Sequence, residues 1–520
     1  MSVFWNSSFT SDATGVTDRG TYGYYSIDTL GTIGKTGATI RSLFIQDQWQ
    51  VSPRLTLNLG VRSESEQFPS FRADIQEFAF QFGWKDKIAP RLGVAYDLFG
   101  DGRAKVSASF GRYYDWTKYE LARGAFGGDV WQTRYRSLDD PDPTKLSLAA
   151  LTGRNLWTSA SDSYKDSRIP SFGDDAIDPN IKPMAQNAFN AGLEYQVARS
   201  TVFNVNFVRN TLIRTIEDIG TLVNGSETYI YGNPGEGLAK TAITTGATAP
   251  FTLPKPKRNY TALELSVNRR FQGNWFLGGS YVYSRLHGNY PGLVNTDEVS
   301  APGRSSAAAQ EAFGQRVRPG TNASRAWDLD ELMFDSHGNL VEGLLPTDRP
   351  HVGKLYGSYI LRTGTTVGLN VYAGSGTPVS KTVQSLYRYP ILVEGRGSLG
   401  RTPFLTQTDL LISHDVKFSG SKRLRLEFNG LNLFNQQQVR HVFDTVNRLG
   451  ANGRVLASSA LRLGAQDLQR GYDYNALLAA TADAAKPAGT AGAGYKDPRY
   501  GLGDLWNPGF SGRVMVRYMF

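Results

Sequence analysis

Residues that commonly carry out chemistry are few in this sequence. It contains no cysteine, which excludes disulfides, thiol catalysis and cysteine metal sites. Its five histidines are dispersed, and no two stand four residues apart as the ligands of a helical zinc site do. We therefore expect no protein metal centre and no cofactor. The histidines lie at positions 287, 337, 351, 414 and 441.

Two short motifs have the spacing of catalytic or cofactor-binding signatures but lack the required setting. Gly395-Arg-Gly-Ser-Leu-Gly400 fits a dinucleotide-binding loop, yet Arg401-Thr402-Pro403 prevents the helix that must follow it. Ser419-Gly-Ser-Lys422 fits a Ser-x-x-Lys motif, but it falls in a predicted hairpin turn and not at a helix start. Both are better explained as loops, and we expect no enzyme.

Two acidic segments are the remaining candidates for ion binding. Carboxylate-rich loops can supply the roughly six to eight oxygens that Ca²⁺ requires. These segments match no calcium-loop spacing, so a solvated loop is the alternative interpretation. They are Asp139-Asp140-Asp142 and Asp328-Asp330-Glu331-Asp335.

The last segment, residues 510 to 520, indicates which kind of element positions the functional side chains. Successive side chains of a β-strand point to opposite faces. One face of this segment is apolar and ends in aromatics, and the other carries two arginines. That pattern is expected where a strand separates lipid from a watery lumen. The apolar face has Phe510, Val514, Val516, Tyr518 and Phe520, and the arginines are Arg513 and Arg517.

The same alternation returns upstream in six pairs of segments, each joined by a short connection that favours a turn. We predict six β-hairpins before the closing strand. One more strand within residues 2 to 10 would give about 14 strands, an even number as in bacterial single-chain barrels. The hairpins are centred on residues 43–61, 92–110, 189–207, 263–283, 355–371 and 410–428.

Long polar stretches separate these hairpins. Short turns that alternate with long connections are typical of outer-membrane barrels, with the turns in the periplasm and the loops outside the cell. The sequence thus predicts an all-β fold, an antiparallel up-and-down transmembrane β-barrel that is part of a larger barrel. The long stretches are approximately 64–87, 115–185, 212–257, 286–349, 374–406 and 436–508.

Composition agrees with this fold class. The mean hydropathy is -0.34, and no apolar run approaches the roughly 18 to 20 residues of a membrane helix. The net charge is +9, but the basic residues are scattered singly, so we expect no nucleic-acid partner. Residues 1 to 10 contain no signal-peptide pattern. We therefore expect residues 1–520 to be one barrel domain from the back part of a longer exported protein.

Several stretches resemble the barrel of TonB-dependent receptors, and in particular the Oar-like branch of that family. The resemblance covers nearly the whole chain and keeps the order of the family's strands. It implies residence in the cell outer membrane, contact with its lipid, insertion by the barrel assembly machinery, and coupling to TonB through a plug domain that has no counterpart here. The matching stretches are Ser42–Val51, Leu55–Arg62, Ala89–Tyr96, Phe110–Tyr114, Asn429–Asn435 and Phe520.

Two groups of side chains are candidates for contact with a solute. Arginines on the wetter side of the strands would line the lumen, or would pair structurally with inner carboxylates. Aromatic residues in the long loops would grip a ligand, or would pack the loops against one another. The candidate lumen residues are Arg62, Arg112, Arg513 and Arg517, and the candidate loop contacts are Trp131, Tyr135, Trp157, Tyr229, Tyr231 and Tyr290.

Three functions fit these patterns. The first is an outer-membrane transport receptor that binds an unknown large solute through its extracellular loops for TonB-dependent uptake. The alternative is a structural or adhesive surface barrel without transport. A third interpretation is a secreted β-protein whose alternating strands face a dry core.

Overall fold

The computed structural model describes most of the chain. The described residues are 1–32, 34–73, 76–117, 128–147, 149–166, 177–223, 226–241, 252–292, 326–327, 332–384, 390–418, 422–446, 469–476 and 499–520.

One large antiparallel sheet dominates the structure. Thirteen strands follow one another in sequence order, each paired with the next, which is an up-and-down meander. The short strands Phe78–Phe82 and Gly343–Leu344 pair at its side with β2 and β8. The thirteen strands are β1 Thr39–Ser52, β2 Leu55–Pro69, β3 Ile88–Asp97, β4 Ala104–Tyr114, β5 Ala185–Ala198, β6 Thr201–Arg214, β7 Arg258–Gln272, β8 Trp275–Gly288, β9 His351–Ile360, β10 Thr365–Gly374, β11 Leu405–Lys417, β12 Arg423–Leu431 and β13 Ser511–Met519.

The six predicted hairpins and the closing strand are confirmed. Tight turns follow from residues that tolerate a left-handed backbone: Gly273 and Asn274 have φ of 63° and 69° between β7 and β8, and Gly364 has φ of 81° before β10. Several strands have 14 or 15 residues, more than the roughly 9 to 11 that a tilted strand needs to cross a bilayer. These strands are therefore longer than a bilayer crossing would require.

The prediction of a sheet strand within residues 2 to 10 is wrong. Ser2–Trp5 forms a strand of only four residues, followed by Asn6 at φ of 51°, so it is too short to span a bilayer. It belongs to a separate four-stranded sheet with Gly23–Thr32, Asp129–Leu138 and Lys165–Asp166. Among the described residues the meander has thirteen strands, and with the two short strands at its side the sheet has fifteen.

The described chain forms two compact units. The first comprises residues 1–41, 65–83 and 117–177, and the second comprises 42–64, 84–116 and 178–520. The first has its own core, in which Tyr25, Ile27, Leu138 and Leu146 are buried. The second contains most of the meander together with folded connections.

Short elements occupy those connections. They include two 3₁₀ helices, and the part of the chain that the structure describes has no helix long and apolar enough to cross a membrane. The remaining short elements are the strands Phe9–Thr10, Thr17–Asp18, Glu217–Val223, Ser226–Gly232, Thr382–Gln384, Pro390–Leu392, Val439–Val442 and Gly503–Trp506, and the 3₁₀ helices Pro143–Lys145 and Gly237–Lys240.

Candidate functional site

The apolar face of the large sheet is exposed along the strands that the structure describes. In β13, Val514 is 79% exposed and Val516 is 62% exposed. Their neighbours on this face, Phe510, Tyr518 and Phe520, are also exposed. This excludes the dry-core interpretation for the closing strand, because a strand that faced a core would bury these side chains.

The opposite face is polar, and many of its charges are compensated. Arg62 lies 2.5 Å from the Glu64 carboxylate and also donates to the Ser42 hydroxyl at 3.0 Å. Across β4 and β5, Lys105 lies 3.5 Å from Glu194. The predicted lumen position of Arg62 is thus on the polar face, in the company of a carboxylate.

Two further predicted lumen residues lie on the polar side of β13. Arg513 pairs in register with Asn429, and Arg517 pairs with Arg425. Both side chains are exposed, and the Arg517 guanidinium contacts the Met515 sulfur at 3.9 Å. Their lining of a lumen remains a prediction.

The assignment of Arg112 to the lumen is wrong. In β4 it follows Phe110 by two residues, so both side chains point to the same face. The register is continuous there: Phe110 lies opposite Phe189 and Arg112 lies opposite Asn187, whose side-chain oxygen accepts from Arg112 Nε at 3.1 Å. Arg112 therefore lies at the loop end of the apolar face.

A cavity of about 630 Å³ indents the polar face over β1 to β5. Gly60, Gly93 and Gly111 occupy inward positions here and leave the backbone uncovered. A Cβ added at Gly111 would stand only 3.0 Å from the Tyr113 ring and 3.3 Å from Arg91 Nη1. The Arg91 guanidinium lies 3.6 Å from the centroid of that ring. The cavity thus has one cation–aromatic pair beside amide and hydroxyl groups.

In the first unit, two of the predicted loop aromatics come together. The Tyr135 ring stacks on Phe9 at 4.0 Å with an interplanar angle of 15°, and Trp157 lies 6.2 Å from Tyr135. Lys165 Nζ lies 5.6 Å from the Trp157 ring and is paired with Asp12 at 2.5 Å. Burial raises the pKa of the Tyr135 hydroxyl, which keeps it protonated and able to donate.

The row of rings continues with residues that the sequence prediction missed. Tyr24 lies 5.5 Å from Phe9 and stacks on Phe4 at 4.5 Å with an interplanar angle of 12°. Phe4 is 38% exposed, and Tyr135 and Trp157 are half-buried. The aromatic row, defined as Phe4, Tyr24, Phe9, Tyr135 and Trp157, is therefore accessible in part. The clustering of aromatics at residues 4, 5 and 9 and at residues 24 and 25 was the available signal, but it did not indicate the long-range pairing.

Another predicted loop contact packs the loops. Tyr290 is fully buried in a cluster with Leu212, Ile219 and Trp327. Its hydroxyl is hydrogen-bonded to Thr215 at 3.1 Å, and its ring lies 5.8 Å from Trp327. This position corrects the expectation of ligand contact at Tyr290, because no ring surface is left for a solute.

The remaining predicted loop contacts are Trp131, Tyr229 and Tyr231. Tyr231 is half-buried in the strand Ser226–Gly232. Trp131 and Tyr229 belong to strands whose backbone is described, but their side chains lie outside the described residues. Ligand contact by these three residues stays a prediction.

The motifs that resembled catalytic sites take loop conformations. Residues 395 to 400 form turns with Gly395, Gly397 and Gly400 at φ of 75°, 75° and 82°, and no helix follows. Ser419 lies outside the described residues. Among the residues that the structure describes, no three His, Asp or Glu side chains are grouped to hold a metal ion.

The first acidic segment binds neighbouring groups of the protein. Asp139 accepts from the Thr21 backbone at 2.8 Å, Asp140 pairs with Lys145 at 2.6 Å, and Asp142 caps Thr144 at 3.0 Å. This favours the interpretation as a structured, solvated loop. In the second segment Asp328, Asp330 and Glu331 lie outside the described residues, and Asp335 turns the chain by accepting from His337 and Asn339.

Comparison with known proteins agrees with this architecture. Residues 79–325 match the family described as outer membrane beta barrel domain. The chain is 29% identical over 455 residues to the TonB-dependent transporter Oar of Myxococcus xanthus, a match that covers 83% of this chain and 39% of the relative. The chain thus spans about two fifths of the length of this relative.

Two solved outer-membrane proteins give partial structural matches. The transporter YddB from Escherichia coli matches with 12% identity and a TM-score of 0.44 over 78% of this chain and 42% of its own. The siderophore receptor PiuA from Acinetobacter baumannii matches with 12% identity and a TM-score of 0.40 over 78% and 40%. On the sequence match and the meander of strands, the chain is similar to outer-membrane β-barrel proteins and to the TonB-dependent transporter Oar.

Proposed function

We propose that this chain forms part of the barrel wall of an outer-membrane receptor that takes up a large solute in a TonB-dependent manner. In this function the long connections capture the solute and the polar face of the sheet provides its path. TonB, a plug domain and the barrel assembly machinery are the expected partners. The single observation that carries the proposal is homology to a TonB-dependent transporter over 83% of the chain.

The aromatic row supports capture of a solute that contains rings. Flat rings stack well on tyrosine and tryptophan, and the hydroxyls of Tyr24 and Tyr135 add hydrogen bonds at the edges. One basic side chain stands beside the row, since Lys165 Nζ lies 5.6 Å from the Trp157 ring, where it is also paired with Asp12. The row therefore suits a solute with a planar or sugar ring.

The cavity on the polar face supports passage through the interior. Its walls offer amides, hydroxyls and backbone at three glycines, groups that exchange hydrogen bonds with a hydrated solute. Arg91 is held against Tyr113 and leaves guanidinium edges toward the cavity. The cavity thus offers a solute a surface that carries many hydrogen-bonding groups.

The proposal is tested by accumulation in cells. Cells with this receptor, with and without functional TonB, are given a labelled oligopeptide, a labelled oligosaccharide and a ferric catecholate. We expect one of these probes to accumulate only when TonB is functional. The double variant Tyr135→Ala, Trp157→Ala should lose at least about ten-fold of that accumulation, as expected when roughly 1.4 kcal/mol of ring contact is removed.

Tyr22→Ala is the matched control. Tyr22 is an exposed tyrosine of the same unit and is not part of the aromatic row. Surface display and heat-dependent gel mobility report folding of all variants. Equal accumulation with and without TonB for every probe would contradict the transport proposal, and cell adhesion that persists without TonB would then support the structural alternative.

A further inference from the structure

The apolar face of the sheet has an uneven distribution of charge. Among the outward positions of the thirteen described strands, the only carboxylate is Asp47 in β1. Three arginines occupy outward positions near the loop ends of β4, β6 and β8. They are Arg112, Arg209 and Arg285, and we call them the arginine group.

Each arginine of this group stands directly beyond an aromatic residue on the same face. Phe110 precedes Arg112, Phe207 precedes Arg209, and Tyr283 precedes Arg285, each by two residues. Phe207 and Tyr283 are exposed. The repeated aromatic-x-Arg pattern on three strands that run in the same direction is typical of a membrane boundary, with the ring at the interface and the cation in the headgroup layer.

Strand length places the group at that boundary. Arg112 follows the start of β4 by eight residues (104 to 112), Arg209 follows the start of β6 by eight (201 to 209), and Arg285 follows the start of β8 by ten (275 to 285). A tilted strand crosses the bilayer in about 9 to 11 residues. The side chains therefore emerge on the side of the long connections, which in this fold class faces outside the cell.

The register brings the three cations close together. Arg209 lies opposite Thr261, and Thr261 lies opposite Arg285, so the two arginines are two strands or about 10 Å apart. Arg112, which lies opposite Asn187, is one outward position closer to the loop end than Arg209. Among the residues that the structure describes, Arg209 and Arg285 are exposed and make no ion pair or side-chain hydrogen bond. Arg112 donates a hydrogen bond to Asn187 through its Nε.

We propose that Arg112, Arg209 and Arg285 bind the phosphate groups of lipid headgroups in the outer leaflet of the membrane. A guanidinium offers a planar fork that matches phosphate oxygens. The cations project from an apolar band, so a phosphate anchored by acyl chains reaches them while its chains contact the residues below. A free phosphate ion could contact only one or two cations at this spacing, whereas a headgroup layer with several phosphates can contact all three.

The test compares two triple variants of the full chain in vesicles. Arg112→Gln, Arg209→Gln, Arg285→Gln removes the arginine group, and Arg91→Gln, Arg513→Gln, Arg517→Gln removes three arginines from the polar face. The vesicles contain phosphatidylcholine with or without a glycolipid that carries two phosphates. Binding is measured as the glycolipid that remains with the protein on purification and as immobilisation of a spin-labelled glycolipid.

We expect affinity for the phosphorylated glycolipid to fall about five-fold for each arginine of the group removed, as for roughly 1 kcal/mol per cation near an anionic surface. The polar-face variant should keep wild-type affinity. Equal loss in both variants, or no loss in either, would overturn the proposal. Displacement by equimolar inorganic phosphate would also overturn it, because the site would then take the free ion.

Folding is followed separately by heat-dependent gel mobility. The single variants Arg209→Gln and Arg209→Lys provide a milder test if the triple variant fails to fold. Lysine keeps the charge, so Arg209→Lys should retain most of the affinity that Arg209→Gln loses. Equal affinity of the two single variants for the glycolipid would contradict a role of charge at this position.

Discussion

The two faces of the large sheet differ in how many charged side chains they carry and in whether these are paired. On the polar face, Glu64, Glu194 and Asp415 each lie beside an arginine or a lysine. On the apolar face a single acidic residue, Asp47, occupies an outward position of the described strands, and the arginine group stands only at the loop ends. The difference indicates that one face meets water, where ion pairs form at little cost, and the other meets hydrocarbon, where charge is tolerated only at the margins.

A charge moved onto the apolar face should have the largest effect. Val516→Arg places a cation near the middle of β13, where an arginine costs about 2 to 4 kcal/mol in lipid. Arg513→Val removes a cation from the polar face of the same strand and should leave assembly nearly unchanged. The measurement is the folded fraction in outer-membrane extracts, read from heat-dependent gel mobility. Equal folded fractions for the two variants would contradict the assignment of the faces.

Neighbouring glycines on the two faces provide a second comparison. A Cβ at Gly357, on the apolar face, would stand 2.6 Å from the Phe276 carbonyl oxygen, which is held by the strand ladder. A Cβ at Gly278, on the polar face, would overlap the Tyr356 ring, which is the end of a side chain that can rotate away. We expect Gly357→Ala to cost about 1 to 3 kcal/mol, as overpacking does.

Gly278→Ala should cost less, because only the end of one side chain must move. Urea unfolding from lipid vesicles measures both variants. A larger loss for Gly278→Ala would indicate that the Tyr356 ring is fixed by contacts on the polar face. The polar face would then be more tightly packed than a water-filled surface.

The strands were predictable because their pattern is local. Period-two alternation and short turns defined all twelve hairpin strands, and alternation defined the closing strand. The same reasoning failed at residues 2 to 10, because a short apolar run does not determine its partner. The pairing of Gly23–Thr32 with Asp129–Leu138 joins segments about a hundred residues apart, and no periodicity in either segment indicates it.

The candidate site was predictable only where local alternation along a strand decides the face of a side chain. The polar position of Arg62 follows from alternation with Leu59 and Val61. Because Arg112 follows Phe110 by two residues, alternation places it on the apolar face. The wrong lumen prediction followed its charge, which it shares with the arginines of the polar face. The burial of Tyr290 could not be predicted, because it depends on Trp327 and Leu212 from distant connections. The Phe9–Tyr135 stack likewise depends on contacts between distant segments.

The smallest expected effect concerns an ion pair on the polar face. Asp415 binds Arg425 through two hydrogen bonds of 2.6 and 2.9 Å and lies 3.7 Å from Arg423. Arg517 stands opposite Arg425 in the next strand, so Asp415→Asn leaves three cations together. If the face meets water, this substitution costs no more than about 1 kcal/mol, and the loss shrinks at high ionic strength.

A dry polar face would give a different result for the same variant. Unpaired guanidiniums in a dry interior would cost about 3 to 5 kcal/mol, with little dependence on salt. Urea unfolding of Asp415→Asn at low and high salt separates the two cases, with Asp415→Glu as the control that keeps the charge. A small, salt-sensitive loss supports a hydrated polar face. A large loss that salt does not change would mean that both faces of the sheet are shielded from water, and the contrast between them would then not come from the solvent.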